Sequence, residues 1–243
     1  MIEKCKKASA LIRNSKSTVV LTGAGISTES GIPDFRSPDT GLWSNMDPME
    51  ALSTRVLFDN PEKFYEVGFK MLISMKDAKP NRAHEILAKL EEEGKVKLII
   101  TQNIDNLHYR AGSKNVYEVH GNTRTFTCMK CEKVYNISDI EKKVEEGDVP
   151  PRCICGGITR PDVVMFGDML PDCFQDGVRE VKLADLLIVI GSSLTVYPVS
   201  QLAAMGKKLI IINFTETPYD NRSDVVIREN ISDTLEKIYE FLG

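Results

Sequence analysis

Five short apolar runs constrain the fold of this chain more than any other feature of its sequence. They lie at residues 18–22, 96–101, 186–190, 208–213 and 224–227. Most of their positions are hydrophobic, as in strands that are buried on both faces of a sheet. Segments with helical spacing of apolar residues separate them, at residues 2–14, 81–93 and 233–242. This alternation predicts an α/β fold in which helices cover both faces of a parallel sheet.

Two regions interrupt the alternation and predict a smaller second lobe. The first begins with turn-forming prolines and a glycine and continues with helical spacing. The second contains four cysteines and little apolar periodicity. We therefore expect a Rossmann-like domain made of residues 1–37, 81–121 and 161–243. The small domain would combine a helical insertion at residues 38–80 with a cysteine module at residues 122–160.

The overall charge and hydropathy exclude several classes of protein. A net charge of -4 and a pI near 5.6 argue against a nucleic-acid partner, which usually requires a basic surplus. No apolar run approaches the ~18 residues of a membrane span. The first lysines are not followed by the apolar segment of a signal peptide. We expect a cytoplasmic protein with no membrane partner and no direct nucleic-acid binding.

Four of the six cysteines lie in two close pairs, Cys128 with Cys131 and Cys153 with Cys155. This spacing favours a metal site in a reducing compartment over a set of disulfides. Four thiolates form a tetrahedral zinc site with no open coordination position. The sequence therefore predicts one structural Zn²⁺ in the cysteine module.

Small or polar residues follow three of the predicted strands. Because the carboxyl ends of parallel strands share one edge, these residues should lie together at the usual ligand edge of such a sheet. Glycines after a strand allow a backbone to approach a pyrophosphate, and a tight strand-to-helix turn is the alternative explanation for them. The residues are Gly23, Ala24 and Gly25 after the first strand, Gly191, Ser192 and Ser193 after the third, and Asn213 at the end of the fourth.

Two polar loops add candidate binding groups. Asp34 and Arg36 lie in a loop bounded by glycine and proline, with Phe35 between them able to stack on a planar ring. Residues 102–105 follow the strand at 96–101. Asn103 and Asp105 in that loop could hydrogen-bond a ribose or a carboxamide, or could cap the helix that follows.

The chain has only three histidines. His84 fits a structural role near a helix start, and His108 fits packing on the helix after the polar loop. His120 precedes Gly121 and follows an apolar run, so a proton-transfer role is open to it beside a structural one.

Taken in order, these motifs resemble those of the sirtuins, a family of NAD-dependent protein-lysine deacylases. The matching segments are Gly-Ala-Gly-Ile-Ser at 23–27, Gly-Ile-Pro-Asp-Phe-Arg at 31–36, Lys-Pro-Asn at 79–81, Thr-Gln-Asn-Ile-Asp at 101–105, His-Gly at 120–121, Arg-Pro at 160–161, Phe-Gly-Asp at 166–168, Gly-Ser-Ser-Leu at 191–194, Asn213 and the cysteine pairs. The resemblance runs from about residue 9 to the last residue.

The resemblance implies roles for individual residues. NAD would be the co-substrate, held by Gly23, Ala24, Gly25, Asp34, Phe35, Arg36, Gln102, Asn103, Ile104, Asp105, Gly191, Ser192, Ser193, Asn213 and Ile231. His120 and Asn103 would be catalytic, with His120 as the general base. An extended acetyl-lysine peptide would lie against Val164, Phe166, Gly167, Asp168, Leu194 and Val196.

The implied reaction transfers the acetyl group of acetyl-lysine to ADP-ribose. Its products are nicotinamide, 2′-O-acetyl-ADP-ribose and free lysine. The same site could instead serve mono-ADP-ribosyl transfer or NAD hydrolysis. A non-catalytic binding module that depends on NAD and zinc is the remaining alternative.

Three positions depart from the usual family pattern or refine it. Ser192 replaces a threonine, which keeps the hydroxyl, and Asp168 replaces a glutamate. Family members that prefer succinyl groups carry a Tyr-x-x-Arg pair in the acyl pocket. Here Tyr65 is followed by Gly68 at the arginine position. A buried carboxylate would lack a cation, so we expect acetyl to be preferred over succinyl.

Overall fold

The computed structural model describes residues 1–34 and 51–243. Phe35 and Arg36 lie outside the described residues, as does the start of the predicted insertion at 38–50. The strands of the described part are β1 (Thr18–Thr22), β2 (Leu98–Thr101), β3 (Val116–Glu118), β4 (Gly121–Cys128), β5 (Val134–Asn136), β6 (Thr159–Val163), β7 (Leu186–Ile190), β8 (Lys208–Ile212) and β9 (Val225–Ile227).

The helices of the described part vary widely in length. The α-helices are α1 (Ile2–Asn14), α2 (Thr54–Asp59), α3 (Pro61–Lys63), α4 (Lys70–Ser74), α5 (Arg82–Glu92), α6 (Leu107–Arg110), α7 (Ile137–Glu145), α8 (Asp172–Leu183), α9 (Leu202–Met205) and α10 (Ile231–Glu240). A 3₁₀-helix spans Ala24–Ser30, and a π-helix spans Phe64–Phe69 between α3 and α4. Within the described residues, no helix is both long and apolar enough to cross a membrane.

Six strands form one parallel sheet in the order β3-β2-β1-β7-β8-β9. All five predicted strands are found in it, which confirms the predicted Rossmann-like class. Thr22 is the register partner of Thr101 on β2 and of Ile190 on β7, and Ile190 pairs with Ile212 on β8. The carboxyl ends of these four strands are therefore level at one edge of the sheet.

Helices cover both faces of this sheet, as the sequence predicted. Along β1, Val20 joins the apolar cluster packed by α1, α5 and α10, whereas Val19 and Leu21 join the cluster packed by α8 and α9. Successive side chains of a strand point to opposite faces, so a continuous apolar run is what two covered faces require. Each fully buried Val, Leu or Ile contributes about 1.5–3 kcal/mol to stability.

A second, antiparallel sheet has the order β5-β4-β6. It shares a third apolar cluster with α7 and with the helical segment around Tyr65. Edge-on aromatic packing links the parts, since the rings of Phe69 and Phe126 lie 5.8 Å apart at 76°. The predicted domain boundaries after residues 121 and 160 fall within β4 and β6, and the division into two domains stays a prediction.

Several elements were not predicted from the sequence, among them helix α8, the three strands of the antiparallel sheet, strand β3 and helix α7. Strand β3 has only three residues, and Tyr117 and Glu118 in it are only half-buried, so it lacks the apolar signal of the other parallel strands. Helix α7 lies in the cysteine module. Its signal was present in the capping pair Asn136 and Asp139 and in the spacing of its apolar residues, of which Ile140 is fully buried.

Candidate active site and metal centre

Backbone contact between two strand-end turns forms the floor of the site. The Gly25 N–H donates to the Gly191 carbonyl at 2.9 Å, and the Gly23 N–H donates to the Ile190 carbonyl at 3.0 Å. A Cβ on Gly25 would lie 2.8 Å from the Gly191 Cα, and Gly191 itself has φ +63°. The fold itself therefore requires these glycines, as the alternative of a tight turn predicted. Their small size also leaves the backbone open to a ligand.

Asn103 is held at the end of β2 by three donated hydrogen bonds. Its N–H reaches the Thr101 hydroxyl at 3.0 Å, and its Nδ2 reaches the Gly23 carbonyl at 3.2 Å and the Ser27 hydroxyl at 3.1 Å. The side-chain Oδ1 is buried and has no hydrogen-bond partner among the described residues. A buried acceptor without a partner is costly, so Asn103 is suited to a ligand that donates a hydrogen bond.

Asp105 is buried beside Asn103. One carboxylate oxygen accepts from the Ser27 hydroxyl at 2.6 Å, and the other accepts from the Leu107 N–H at 2.9 Å. Burial raises the pKa of the Asp105 carboxyl, and the Ser27 and Leu107 donors oppose that shift. Asp105 thus fulfils the capping alternative at the start of α6, whereas Asn103 does not cap this helix. Ser27, which bridges Asn103 and Asp105, is part of the matching segment at 23–27, but no role was predicted for it from the sequence.

His120 lies one strand further along, between β3 and β4. Its Nδ1 is 3.0 Å from the Gln102 carbonyl oxygen, which can only accept, so Nδ1 carries the proton and Nε2 keeps its lone pair. Burial lowers the His120 pKa below 6.5, and the bond to Gln102 partly opposes this. At neutral pH the ring is therefore uncharged and able to accept a proton.

The other predicted residues of this edge lie on the neighbouring strand ends. The Gln102 Nε2 donates to the Ser192 hydroxyl at 2.9 Å, which joins the β2 and β7 loops. Asn213 follows β8, is buried, and donates from Nδ2 to the Thr215 carbonyl at 2.9 Å. Ile231 opens α10. The Glu29 carboxylate links the 3₁₀-helix to this helix start, accepting from Asn230 Nδ2 and Ser232 Oγ.

The other two histidines are buried, as expected. His84 is the third residue of α5 and takes part in its capping box with Asn81. His108 on α6 lies 2.9 Å through Nε2 from the Thr22 hydroxyl, which in turn donates to Thr101. The sequence does contain a signal for this network, since Thr22 and Thr101 are hydroxyl residues that end two neighbouring strands. The network was not predicted from it.

Four of the six predicted peptide-binding residues lie in a loop beside His120, and the other two, Leu194 and Val196, follow β7. The Val164 N–H donates to the His120 carbonyl at 2.9 Å. Phe166 forms an isolated parallel bridge with Ser53, so the loop is fixed on that side as well. Phe166 is 47% exposed and Val196 36%, whereas Leu194 is 2% exposed. The Leu194 side chain therefore belongs to the core rather than to a surface groove.

The four cysteines of the predicted zinc site come together. Their sulfur atoms all lie within 4.8 Å of one another, with 3.5 Å between Cys128 and Cys155 and 3.6 Å between Cys131 and Cys153. Tetrahedral zinc with Zn–S bonds of about 2.3 Å separates its ligands by roughly 3.8 Å, so the sulfur positions fit this ion. The Tyr135 hydroxyl donates to Cys153 Sγ at 3.1 Å and supports the site from outside.

The fold and the site together define a class of protein. It is an α/β chain with a Rossmann-like sheet, a site of polar residues at the ends of the strands, and a four-cysteine module that fits zinc. The profile of the Sir2 family matches residues 23–198, and the chain belongs to this family. The sirtuin resemblance is thereby confirmed.

Known relatives are similar over nearly the whole chain. NAD-dependent protein deacetylase 2 of Caldanaerobacter subterraneus subsp. tengcongensis is 60% identical, over 98% of this chain and 95% of the relative. A solved Sir2 with a deacetylated p53 peptide and 3′-O-acetyl ADP-ribose has a TM-score of 0.92 and 42% identity, covering 97% of each chain. A Sir2 with p53 peptide and NAD+ has a TM-score of 0.88 and 42% identity, again covering 97% of each chain.

Proposed function

We propose that this chain is an NAD-dependent protein-lysine deacetylase. It transfers the acetyl group of acetyl-lysine to ADP-ribose and releases nicotinamide, 2′-O-acetyl-ADP-ribose and free lysine. The observation that carries the proposal is a neutral His120 next to the polar loop of Asn103, whose Oδ1 has no hydrogen-bond partner in residues 1–34 and 51–243. The relative named as a deacetylase and the solved Sir2 with NAD+ and peptide support it.

In this proposal His120 is the general base. Gln102 fixes the protonated Nδ1, so Nε2 is left to accept a proton from a sugar hydroxyl. The lowered pKa of His120 keeps the ring neutral at pH 7. Bound NAD would supply the carbon–nitrogen bond to nicotinamide, whose cleavage activates the ribose. The acidic side of the pH profile should therefore lie below the ordinary histidine pKa of 6.5.

Asn103 and Asp105 would orient the nicotinamide end of the cofactor. The free Oδ1 of Asn103 would accept from a ligand hydroxyl or amide, and this would remove the cost of its buried, unpartnered state. Ser27 holds both side chains in place, so neither has to reorganise on binding. Ile104 would line the same pocket with apolar surface.

The remaining NAD contacts are proposed from family membership and from the position of the residues at one sheet edge. Gly23 and Gly25 would provide open backbone near the phosphates, and the Ser192 hydroxyl lies at the same strand ends. The Ser193 hydroxyl lies 2.9 Å from that of Thr195. Ala24, Asp34, Gly191, Asn213 and Ile231 complete the described set. Phe35 and Arg36 keep their proposed roles from the resemblance alone.

The proposed protein substrate is an acyl-lysine peptide that lies along the loop at Val164, Phe166 and Gly167. Backbone pairing with an extended peptide would give affinity with little sequence selectivity. Val196 borders the groove with a partly exposed side chain. Leu194 would act through its backbone, since its side chain is buried.

We propose acetyl as the preferred acyl group, over succinyl. Tyr65 is 1% exposed, and its hydroxyl donates to the Thr159 carbonyl at 2.7 Å. It is therefore not free to bind a carboxylate. A Cβ on Gly68 would lie 2.6 Å from the Ala51 carbonyl oxygen, so an arginine could not stand there without moving backbone. A succinyl carboxylate would find no cation from either position.

The zinc ion proposed for the four cysteines would be structural. Four thiolates fill a tetrahedral coordination shell, so the metal has no position left for substrate. Cys128 is the last residue of the eight-residue strand β4, and His120 directly precedes the first residue of that strand, so the two sites lie at opposite ends of β4. The two-domain division, with NAD in the Rossmann-like domain, and the cytoplasmic location both stay predictions.

Mass spectrometry of an acetyl-lysine peptide tests the function. With NAD, the acetyl mass should disappear while nicotinamide and acetyl-ADP-ribose form. Without NAD, the peptide should stay intact. His120→Ala should lower the rate by roughly 10²–10⁴-fold, the usual contribution of a general base. Consumption of NAD while the peptide stays acetylated would instead favour ADP-ribosyl transfer or hydrolysis. Binding of NAD and zinc with no turnover would favour the binding module.

A further inference from the structure

The loop at residues 164–168 is fixed from two sides by backbone contacts. At its start, the Val164 N–H donates to the His120 carbonyl. At Phe166, the N–H donates to the Leu52 carbonyl at 3.1 Å, and the Phe166 carbonyl accepts from the Thr54 N–H at 3.1 Å. These bonds hold one edge of the loop. They do not hold its turn at Gly167, where φ is +102°.

An ion pair closes that turn. Arg160 on β6 reaches both carboxylate oxygens of Asp168, from Nη1 at 3.3 Å and from Nη2 at 2.6 Å. Its Nη2 also donates to the Val163 carbonyl at 3.2 Å. Arg160 thus binds Val163, directly before the loop, and Asp168, its last residue. A bidentate ion pair of this kind fixes the relative orientation of the two side chains as well as the distance between them.

Within the described residues, every hydrogen bond that the Asp168 carboxylate accepts comes from Arg160 or Met165. Besides Arg160, its Oδ2 accepts from the Met165 N–H at 2.9 Å, and its own N–H donates to the Met165 carbonyl at 3.0 Å. The side chains of Arg160 and Asp168 are only 25% and 20% exposed. The carboxylate is therefore mostly buried and directed toward Arg160 and Met165.

We propose that Arg160 and Asp168 are positioning residues that set the shape of the peptide-binding loop. The inference rests on the proposed function and deepens it. Asp168 acts on the substrate through Arg160 and through the turn that it closes. It does not act by contact with the peptide. Loss of the pair should free Met165 and Gly167 and weaken peptide binding, while the NAD edge at β1, β2, β7 and β8 stays unchanged.

A double-mutant cycle tests this proposal. Arg160→Gln, Asp168→Asn and the double variant are compared with the unaltered protein for KM of an acetyl-lysine peptide and KM of NAD. Each single variant should raise the peptide KM roughly tenfold and leave the NAD KM within about twofold. The double variant should be no worse than the single ones, because the two residues act as one unit.

The chain offers a matched control in Asp176→Asn. Asp176 pairs with Arg179 on α8, but both side chains are well exposed, so removing this pair should change neither KM. A labelled acetyl-lysine peptide, followed by fluorescence anisotropy, gives peptide affinity without turnover. It separates failure of this inference from failure of the proposed function, since peptide binding can be measured in a protein that does not deacetylate.

Three results would overturn the inference. One is a peptide KM and peptide affinity that do not change in the single variants. Another is strict additivity in the double variant. The third is an equal rise of both KM values together with a lower melting temperature, which would mark Arg160 and Asp168 as residues of general stability only.

Discussion

His84 shows how the surroundings of one residue set its charge. It is fully buried at the start of α5, and its ring lies 4.9 Å from that of His108. Desolvation lowers the His84 pKa to about 4, and it lowers the His108 pKa well below 6.5. Both rings are therefore neutral in the folded protein at pH 7. Because they are uncharged, these two rings can be buried behind Ser27 and the strand ends.

The free energy of unfolding should fall as the pH is lowered through the range between 6.5 and 4. The unfolded chain protonates His84 near pH 6.5, whereas the folded chain resists protonation down to about pH 4. Protons therefore favour the unfolded state in this window, and stability rises again with pH. His84 alone should cost on the order of 2 kcal/mol between pH 6.5 and 5.

Urea unfolding at pH 7.5, 6.5, 5.5 and 5 measures this effect. His84→Asn is the matched variant, since it keeps a polar side chain that does not titrate. It should show a smaller slope of stability against pH than the unaltered protein. Identical slopes in the two proteins would contradict the assignment of a buried, neutral His84.

At the scale of elements, the helical segment around Tyr65 shows what an apolar pattern can and cannot predict. Its helical spacing was recognised, but the segment consists of α3, a π-helix at Phe64–Phe69 and α4. Wide turns of this kind occur often at functional sites. Here the π-helix brings Gly68 against the backbone of Ala51. Spacing alone cannot show such a contact.

This element predicts the acyl preference. The ratio of kcat/KM for acetyl over succinyl on the same lysine peptide should be roughly 100 or more, because burial of an unpaired carboxylate costs several kcal/mol. Gly68→Arg should not restore succinyl activity, since even its Cβ would crowd the Ala51 carbonyl. A succinyl rate equal to the acetyl rate would rule out this account of the pocket.

The sequence predicted the parallel strands and the cysteine cluster because both have a strong local signal. The three residues of β3 carry too little signal for a prediction, whereas α7 was missed because its module was interpreted as irregular although its capping pair is visible in the sequence. The strand-end polar groups were found because parallel strands bring them to one edge. Ser27 and Tyr135 were missed because their roles depend on contacts with residues far away in the chain, Asp105 and Cys153.

At the scale of the whole molecule, the cysteine cluster stabilises one part selectively. Cys128 is the last residue of β4 in the antiparallel sheet, and the Tyr135 hydroxyl on β5 donates to Cys153, whereas neither apolar cluster of the large sheet contains any of the four cysteines. Removal of zinc should therefore loosen the small sheet first and leave most of the parallel sheet intact.

Elemental analysis should find one zinc per chain. Its removal by a strong chelator should lower the melting temperature by several degrees, since about 1 kcal/mol corresponds to roughly 2–4 °C in a chain of this size. Far-UV circular dichroism should change little. Tyr135→Phe should release zinc faster to the chelator, because Cys153 loses its hydrogen-bond donor. A protein without zinc that melts at the same temperature would contradict the proposed site.

The central place of β1 has a consequence for synthesis on the ribosome. Residues 18–22 emerge early, but their neighbours in the sheet begin only at Leu98 and Leu186. A nascent chain therefore carries this apolar segment with at least one edge unpaired until most of the protein has been translated. The two turns around Gly25 and Gly191, which together form the floor of the site, also come into contact only then. Translation speed and chaperone access over this interval should decide how much of the protein reaches its native fold.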